Sequence, residues 1–170
     1  LDLVRGGVDN IMTYSNAQFV VLGSGDWEYE QFFKEMQAKY PGRFVLCQGF
    51  VPELARKIYG GSDIFLMPSK SEPCGLSQMV ALRYGSIPVV RETGGLKDSI
   101  TDSGDGKGNG FTFQTYDTQD MLNSVHRAIY AYNESKDGWK VLMERAMACD
   151  NSWGRSANDY IRLYKQLINS

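Results

Sequence analysis

The chain has 170 residues and a formal net charge of −2, a length that fits one domain able to bury roughly 70% of its unfolded surface. Its pI near 5.4 and the lack of any Lys/Arg cluster exclude the basic surface on which nucleic-acid affinity rests. No apolar run approaches the roughly 20 residues of a membrane span, and the N-terminus shows no signal-peptide pattern.

Short apolar runs alternate with longer helical patterns. "QFVVLG" (18–23) reads as a buried strand, and "DWEYEQFFKEMQAKY" (26–40) as a helix ended by Pro41-Gly42. "RFVLCQGF" (43–50) is the next strand. "PELARKIYGGS" (52–62) is a short helix that opens on Pro52 and stops at Gly60-Gly61. "DIFLMPS" (63–69) is a third strand, and "GLSQMVALRYGS" (75–86) a helix apolar nearly all round and closed by Gly85. "IPVVRE" (87–92) is a fourth, followed by "TGGLKDSI" (93–100), a turn with about one turn of helix; "GFTF" (110–113) is a short fifth. Three helices then follow, over 118–133, 138–149 and 153–169, the last with Tyr160, Leu163, Tyr164 and Leu167 on one face. Strands that are continuously apolar, alternating with helices, predict an α/β domain with an open parallel sheet covered on both faces.

Most chemistries that need several metal-ligating or basic side chains are short of parts. Cys47, Cys74 and Cys149 form no C-x-x-C pair and no disulfide framework, so no zinc site is indicated and a reducing compartment is expected. The single histidine, His126, flanks the apolar stripe of its helix and reads as structural. The Gly-rich "SGDGKGNG" (103–110) reads as a mobile surface loop and not a phosphate loop, because no strand leads in and no helix leaves.

Ligands of open parallel sheets gather outside the carboxyl ends of the strands. Four glycine-bearing turns fall there: Gly23-Ser24-Gly25, Gly49-Phe50, Pro73-Cys74-Gly75 and Gly94-Gly95. The first is no dinucleotide fingerprint, because Glu28 occupies the third glycine position and would repel a pyrophosphate. The turn at 69–77 is richer. A helix beginning near Gly75 or Leu76 points unpaired N–H groups outward, a seat for phosphate, and Ser77 adds a hydroxyl. Glu72 lies too far upstream to be a simple N-cap, and a carboxylate beside an anion seat suits the hydroxyls of a phosphorylated sugar. An exposed loop carboxylate next to a small buried thiol is the plainer alternative on spacing alone.

The block "SEPCGLSQMVALRYGSIPVVRETGGLKDS" (71–99) closely resembles the C-terminal domain of bacterial glycogen synthases and plant starch synthases, and "VLGSGD", "QGF", "IYGGSDIFLMPS", "GNGFTF" and "SW" extend the likeness over nearly the whole chain. The resemblance implies a retaining glucosyltransferase of two Rossmann-like domains, the GT-B fold. Residues 1–170 would form its single nucleotide-sugar-binding domain, ending in several C-terminal helices. The reaction implied is transfer of glucose from ADP-glucose to the non-reducing end of an α-1,4-glucan, with no metal or other cofactor, in the bacterial cytoplasm or a plastid. The acceptor would be held by an N-terminal domain.

The resemblance also implies roles. Glu72 matches the carboxylate that holds the donor glucose near its anomeric carbon, and Cys74, Gly75 and Leu76 match the turn whose N–H groups contact sugar and phosphate. Ser77 stands for the usual Thr, and Thr93, Gly94 and Gly95 border the same cleft. On the nucleoside side stand Gly23, Gly25, Phe50 (packing on adenine) and Tyr59; core packing is the rival role for Tyr59. Two departures stand out. Lys70-Ser71 replaces the usual Arg-Phe, and the family's phosphate-neutralising R-L-x-x-Q-K-G segment would lie just upstream of Leu1. A non-catalytic nucleotide- or glucan-binding module is the alternative, although Glu72 at the sugar position favours the enzyme. An isolated fragment lacking the acceptor wall is expected to be inactive.

Overall fold

The structure, a computed structural model, describes residues 1–168. Their order is α1 (Asp2–Tyr14), β1 (Phe19–Gly23), α2 (Trp27–Lys39), β2 (Phe44–Gln48), α3 (Pro52–Gly61), β3 (Ile64–Met67), α4 (Ser77–Tyr84), β4 (Ile87–Arg91), α5 (Gly94–Ser99), β5 (Phe111–Phe113), α6 (Thr118–Glu134), α7 (Lys136–Met147) and α8 (Trp153–Ile168). All strand pairs are parallel, in two ladders: β1 with β2, in register Phe19 to Phe44, and β4 between β3 and β5, in registers Ile64 to Ile87 and Val89 to Phe111. Helices cover the strands on both sides, with α1 against α2 and α6, and α4 against α3 and α7. The α/β architecture expected from the alternation is therefore present.

β4 is the spine. Ile87, Val89 and Val90 are fully buried, since ladders flank the strand on either side and helices close both faces; such a strand has no solvent face to alternate toward. The cover thins at β1 and β2, where Val20 and Val45 stay 44% and 39% exposed. A second cluster there centres on Phe44, stacked 5.4 Å from Phe19 and 6.0 Å from Phe33. Its complete burial contributes about 2–3 kcal/mol. Phe19 and Leu66 touch both clusters, which joins the two ladders into one core.

Helix α1 was not expected from the sequence. Leu3, Val4, Val8, Ile11 and Met12 are buried at helical spacing, but Gly6-Gly7 interrupts the run with the poorest helix former short of proline. The glycines serve close packing. A Cβ on Gly7 would lie 2.7 Å from Met121 Cε, and one on Gly6 2.8 Å from Thr118 Oγ1, so α1 settles directly on α6. His126 ties the same two helices, its Nε2 lying 2.8 Å from Asn10 Oδ1, in keeping with a structural role.

Other boundaries shift by a residue or two. β2 stops at Gln48 because Gly49 takes φ +110°, which turns the chain out of the ladder. The 103–110 segment is more tied down than a mobile loop. Ser103–Asp105 forms a 3-10 turn, Gly108 and Gly110 are buried, and Arg145 Nη1 donates to Gly108 O at 2.6 Å. The predicted end of α8 at residue 169 lies outside the described residues.

Candidate functional site

Two pairs of turns stand at the carboxyl ends of the strands. In the first, β1 runs into Gly23-Ser24-Gly25 and β2 into Gly49-Phe50, with Gly49 N–H donating to Gly23 O at 3.1 Å. Neither Gly23 nor Gly25 has positive φ, and a Cβ on either would meet nothing within 4 Å. No contact inside the protein requires glycine at these positions; what the glycines keep clear is the space outside. The left-handed Gly49 puts Phe50 on the rim, 93% exposed. Glu30, which the sequence did not single out, braces the pair by accepting from Gly25 N–H at 3.2 Å and from Gln48 Nε2 at 2.7 Å. The carboxylate of Glu28 is taken up by Arg5 across from α1.

Tyr59 sits differently. On α3, half-buried, it packs 5.3 Å from Phe65 and 6.1 Å from Tyr84. A nucleoside role would fall to a ring already engaged in this stack.

The second pair joins the turn after β3 to the turn after β4. Gly95 N–H donates to Glu72 O at 3.0 Å. Added Cβ atoms would lie 2.1 Å from Glu72 O at Gly94 and 1.8 Å from Cys74 O at Gly95, and Gly94 has φ +45°. Gly94-Gly95 is thus more than a tight helix start: its bare backbone is the floor on which residues 72–74 rest. Thr93 precedes it, half-buried and extended, its N–H bonded to Arg91 O at 2.9 Å.

On that floor Glu72 is half-buried, and among the described residues its carboxylate meets no donor and no cation. Helix α4 starts beside it without a side-chain cap, with Leu76 at the N-cap and Ser77 first inside. Gly75 takes φ +73°, and Cys74 is exposed with a free thiol. An uncapped helix start carries unpaired N–H groups and the positive end of the helix dipole, which favour an anion. Gln78, the second residue of α4, is completely buried and ties the turn from below; a carboxamide leading into the apolar run 79–82 was the sequence signal for it.

The rim differs from the Arg-Phe pattern as the sequence indicated. Lys70 Nζ and the Arg91 guanidinium each lie 5.7 Å from the centre of the Tyr116 ring, and Arg91 Nη1 donates to Lys70 O at 2.7 Å. A pocket of about 410 Å³ adjoins the turn, with Cys74, Gln78, Gly95 and Cys149 in its lining. A larger hollow of about 650 Å³, along the start of α8, takes in none of the candidate residues. No three His, Cys, Asp or Glu side chains converge on a point among the described residues.

Comparison with known proteins bears on the family and the fold. Residues 8–137 match the family of glycosyl transferases group 1. The chain is 51% identical to a glycogen synthase of Geobacillus thermodenitrificans and 48% identical to one of Pseudothermotoga lettingae, in each case over 99% of its own length and 35% of the relative's. It therefore spans about a third of the length of these relatives. Among solved structures it resembles the catalytic domain of starch synthase IV from Arabidopsis thaliana, bound to ADP and acarbose. That match has a TM-score of 0.83 and 36% identity, over 99% of this chain and 36% of the other. A sucrose-phosphate synthase from Thermosynechococcus elongatus, 20% identical with a TM-score of 0.66, shares the fold. Parallel strands ending in two braced glycine turns, a family match over most of the chain and relatives near half identity lead to one conclusion: the chain belongs to the group 1 glycosyl transferases.

Proposed function

We propose that this chain is the donor-binding domain of a longer glycogen or starch synthase. That enzyme transfers glucose from ADP-glucose to the non-reducing 4-hydroxyl of an α-1,4-glucan. The observation that carries the reading is the turn at 72–77, where a carboxylate with no partner among the described residues stands beside an uncapped helix start. The first suits the hydroxyls of a sugar and the second its phosphate. The Gly23–Gly25 and Gly49–Phe50 turns serve the nucleoside, with the Phe50 ring as platform for adenine and Tyr59, on α3, as the second aromatic assigned to that side.

In the transfer, the bond between the anomeric carbon and the phosphate oxygen breaks as the acceptor hydroxyl bonds to the same face, and the hydroxyl proton leaves on the phosphate. Negative charge grows on the departing ADP, in reach of the N–H groups at Gly75, Leu76 and Ser77, while positive charge grows on the sugar beside Glu72. Groups preorganised where charge develops lower the barrier most. Thr93, Gly94 and Gly95 hold that turn in place, and Cys74 contributes backbone, not thiol. ADP-glucose is the substrate and the reading needs no metal or cofactor. The glucan is held by an N-terminal domain, and the compartment is the bacterial cytoplasm or a plastid; no helix among the described residues is long and apolar enough to cross a membrane.

The test is glucose incorporation into glycogen from ADP-glucose by the full-length enzyme. Glu72→Gln keeps hydrogen bonding to the sugar but loses the charge, so kcat is expected to fall on the order of 10²–10³, with KM little changed. Cys74→Ser is expected to be mild. Nearly full kcat in Glu72→Gln, or a larger loss in Cys74→Ser, overturns this assignment.

A further inference from the structure

Directly beneath the donor turn lies Gln78, with none of its surface exposed. Its Nε2 donates to Gly75 O at 3.0 Å, to Cys74 O at 3.3 Å and to Ser99 Oγ at 3.1 Å. Ser99 Oγ in turn donates to Gly95 O at 2.6 Å. Because the two carbonyls can only accept, the orientation of the carboxamide is settled. Its Oε1 is buried and meets no donor among the described residues, 2.5 Å from where a Cβ on Gly75 would stand. Folding alone gains little from such a group, since an unmatched buried acceptor is destabilising and an apolar side chain of the same shape would avoid it.

What the carboxamide does, and an apolar side chain would not, is hold two successive carbonyls inward. Both peptide bonds are trans, so the N–H of each plane points opposite to its C=O. With the carbonyls of Cys74 and Gly75 drawn toward Gln78, the N–H groups of Gly75 and Leu76 face away from the core. Among the described residues neither finds a backbone acceptor. Through Ser99 the same amide is tied to α5, whose first residues are the floor of the turn.

We propose that Gln78 is a positioning residue for the donor diphosphate: its amide aims the N–H groups of Gly75 and Leu76 at the phosphate and fixes their distance from Glu72. The inference rests on the reading of 72–77 as the phosphate end of the donor site. It assigns Gln78 no contact with the ligand. Its substitution should therefore weaken the diphosphate and leave the base alone, whereas a merely structural residue would weaken both or neither.

The experiment is an NMR titration of the ¹⁵N-labelled chain with pyrophosphate and, separately, with adenosine, for wild type, Gln78→Met and Ser99→Ala. Gln78→Met is expected to weaken pyrophosphate by about 10-fold or more, the scale of a misaligned hydrogen bond to a charged group. Adenosine shifts at Gly23, Gly25 and Phe50 should be unchanged. Ser99→Ala should weaken pyrophosphate by about 3-fold, since one tether of the amide goes while its carbonyl bonds remain. Pyrophosphate affinity equal to wild type in a folded Gln78→Met, or equal losses for both ligands, overturns the proposal. Should Gln78→Met not fold, Ser99→Ala decides, and an unchanged pyrophosphate affinity there overturns it. A wild-type chain that binds neither ligand refutes the donor-site reading itself, a result distinct from a wild type that binds and a variant that binds equally well.

Discussion

At Gly95 an added methyl would sit 1.8 Å from a carbonyl oxygen of the facing turn, well inside van der Waals contact and with no flexible side chain to give way. Gly95→Ala is therefore expected to push residues 72–74 off their floor and to cost about 2–4 kcal/mol in urea unfolding, in the range of severe backbone clashes. A loss under about 0.5 kcal/mol, the level of an ordinary surface change, would show that the two turns do not press on each other. Phe50 is the opposite case. Its ring is 93% exposed, so Phe50→Ala should leave the unfolding midpoint unchanged. It should weaken ADP by about 10-fold, the scale of a lost aromatic stack on a base, and leave pyrophosphate unaffected. Equal losses for ADP and pyrophosphate would remove Phe50 from the base.

Between elements, Asp102 joins β5, the 103–110 segment and α6. It accepts from Thr112 N–H at 2.8 Å on β5, from Gly104 N–H at 2.9 Å, and from the guanidinium of Arg127 on α6. Burial raises its pKa, but the Thr112 N–H, the Arg127 side chain and the Gly104 N–H together outweigh that and hold it below the ordinary carboxylate value. A depressed folded pKa gives stability that is fully present above the unfolded value of about 3.9 and is lost as pH falls through the folded one. Asp102→Asn should thus be less stable than wild type by roughly 1–2 kcal/mol at neutral pH, from weakened charge-assisted hydrogen bonds. The gap should close below about pH 4. A gap constant from pH 7 to pH 3 would mean that the charge of Asp102 does nothing for the fold. The segment it anchors is the one whose glycines suggested mobility: a local pattern does not show that an acidic side chain eight residues before Gly110 reaches back across it.

For the molecule as a whole, the proposed function makes the strand ends one side of a donor cleft. Purified alone, the chain is expected to bind ADP weakly and to incorporate no glucose into glycogen above a Glu72→Ala control, because it spans about a third of the length of its glycogen synthase relatives. Incorporation above that control would show that this domain suffices. Helix α8 leaves Tyr160, Leu163 and Tyr164 on an exposed apolar face, in contrast to α6, which buries Met121, Leu122 and Val125, and α7, which buries Trp139 and Leu142. The sequence by itself determined the order of strands and helices after residue 18 and the turn that carries Glu72, because apolar periodicity, helix-stopping glycines and a specific local block are written along the chain. It left α1 unseen, since Gly6-Gly7 makes sense only once α6 lies 2.7–2.8 Å from the missing Cβ atoms. Only the tertiary structure decided that Gly94-Gly95 is a floor, that Tyr59 packs against Phe65 and stacks on Tyr84, and that Gln78 grips the turn from beneath. Each of those depends on groups brought within a few ångströms across different elements, a proximity that no spacing along the chain encodes.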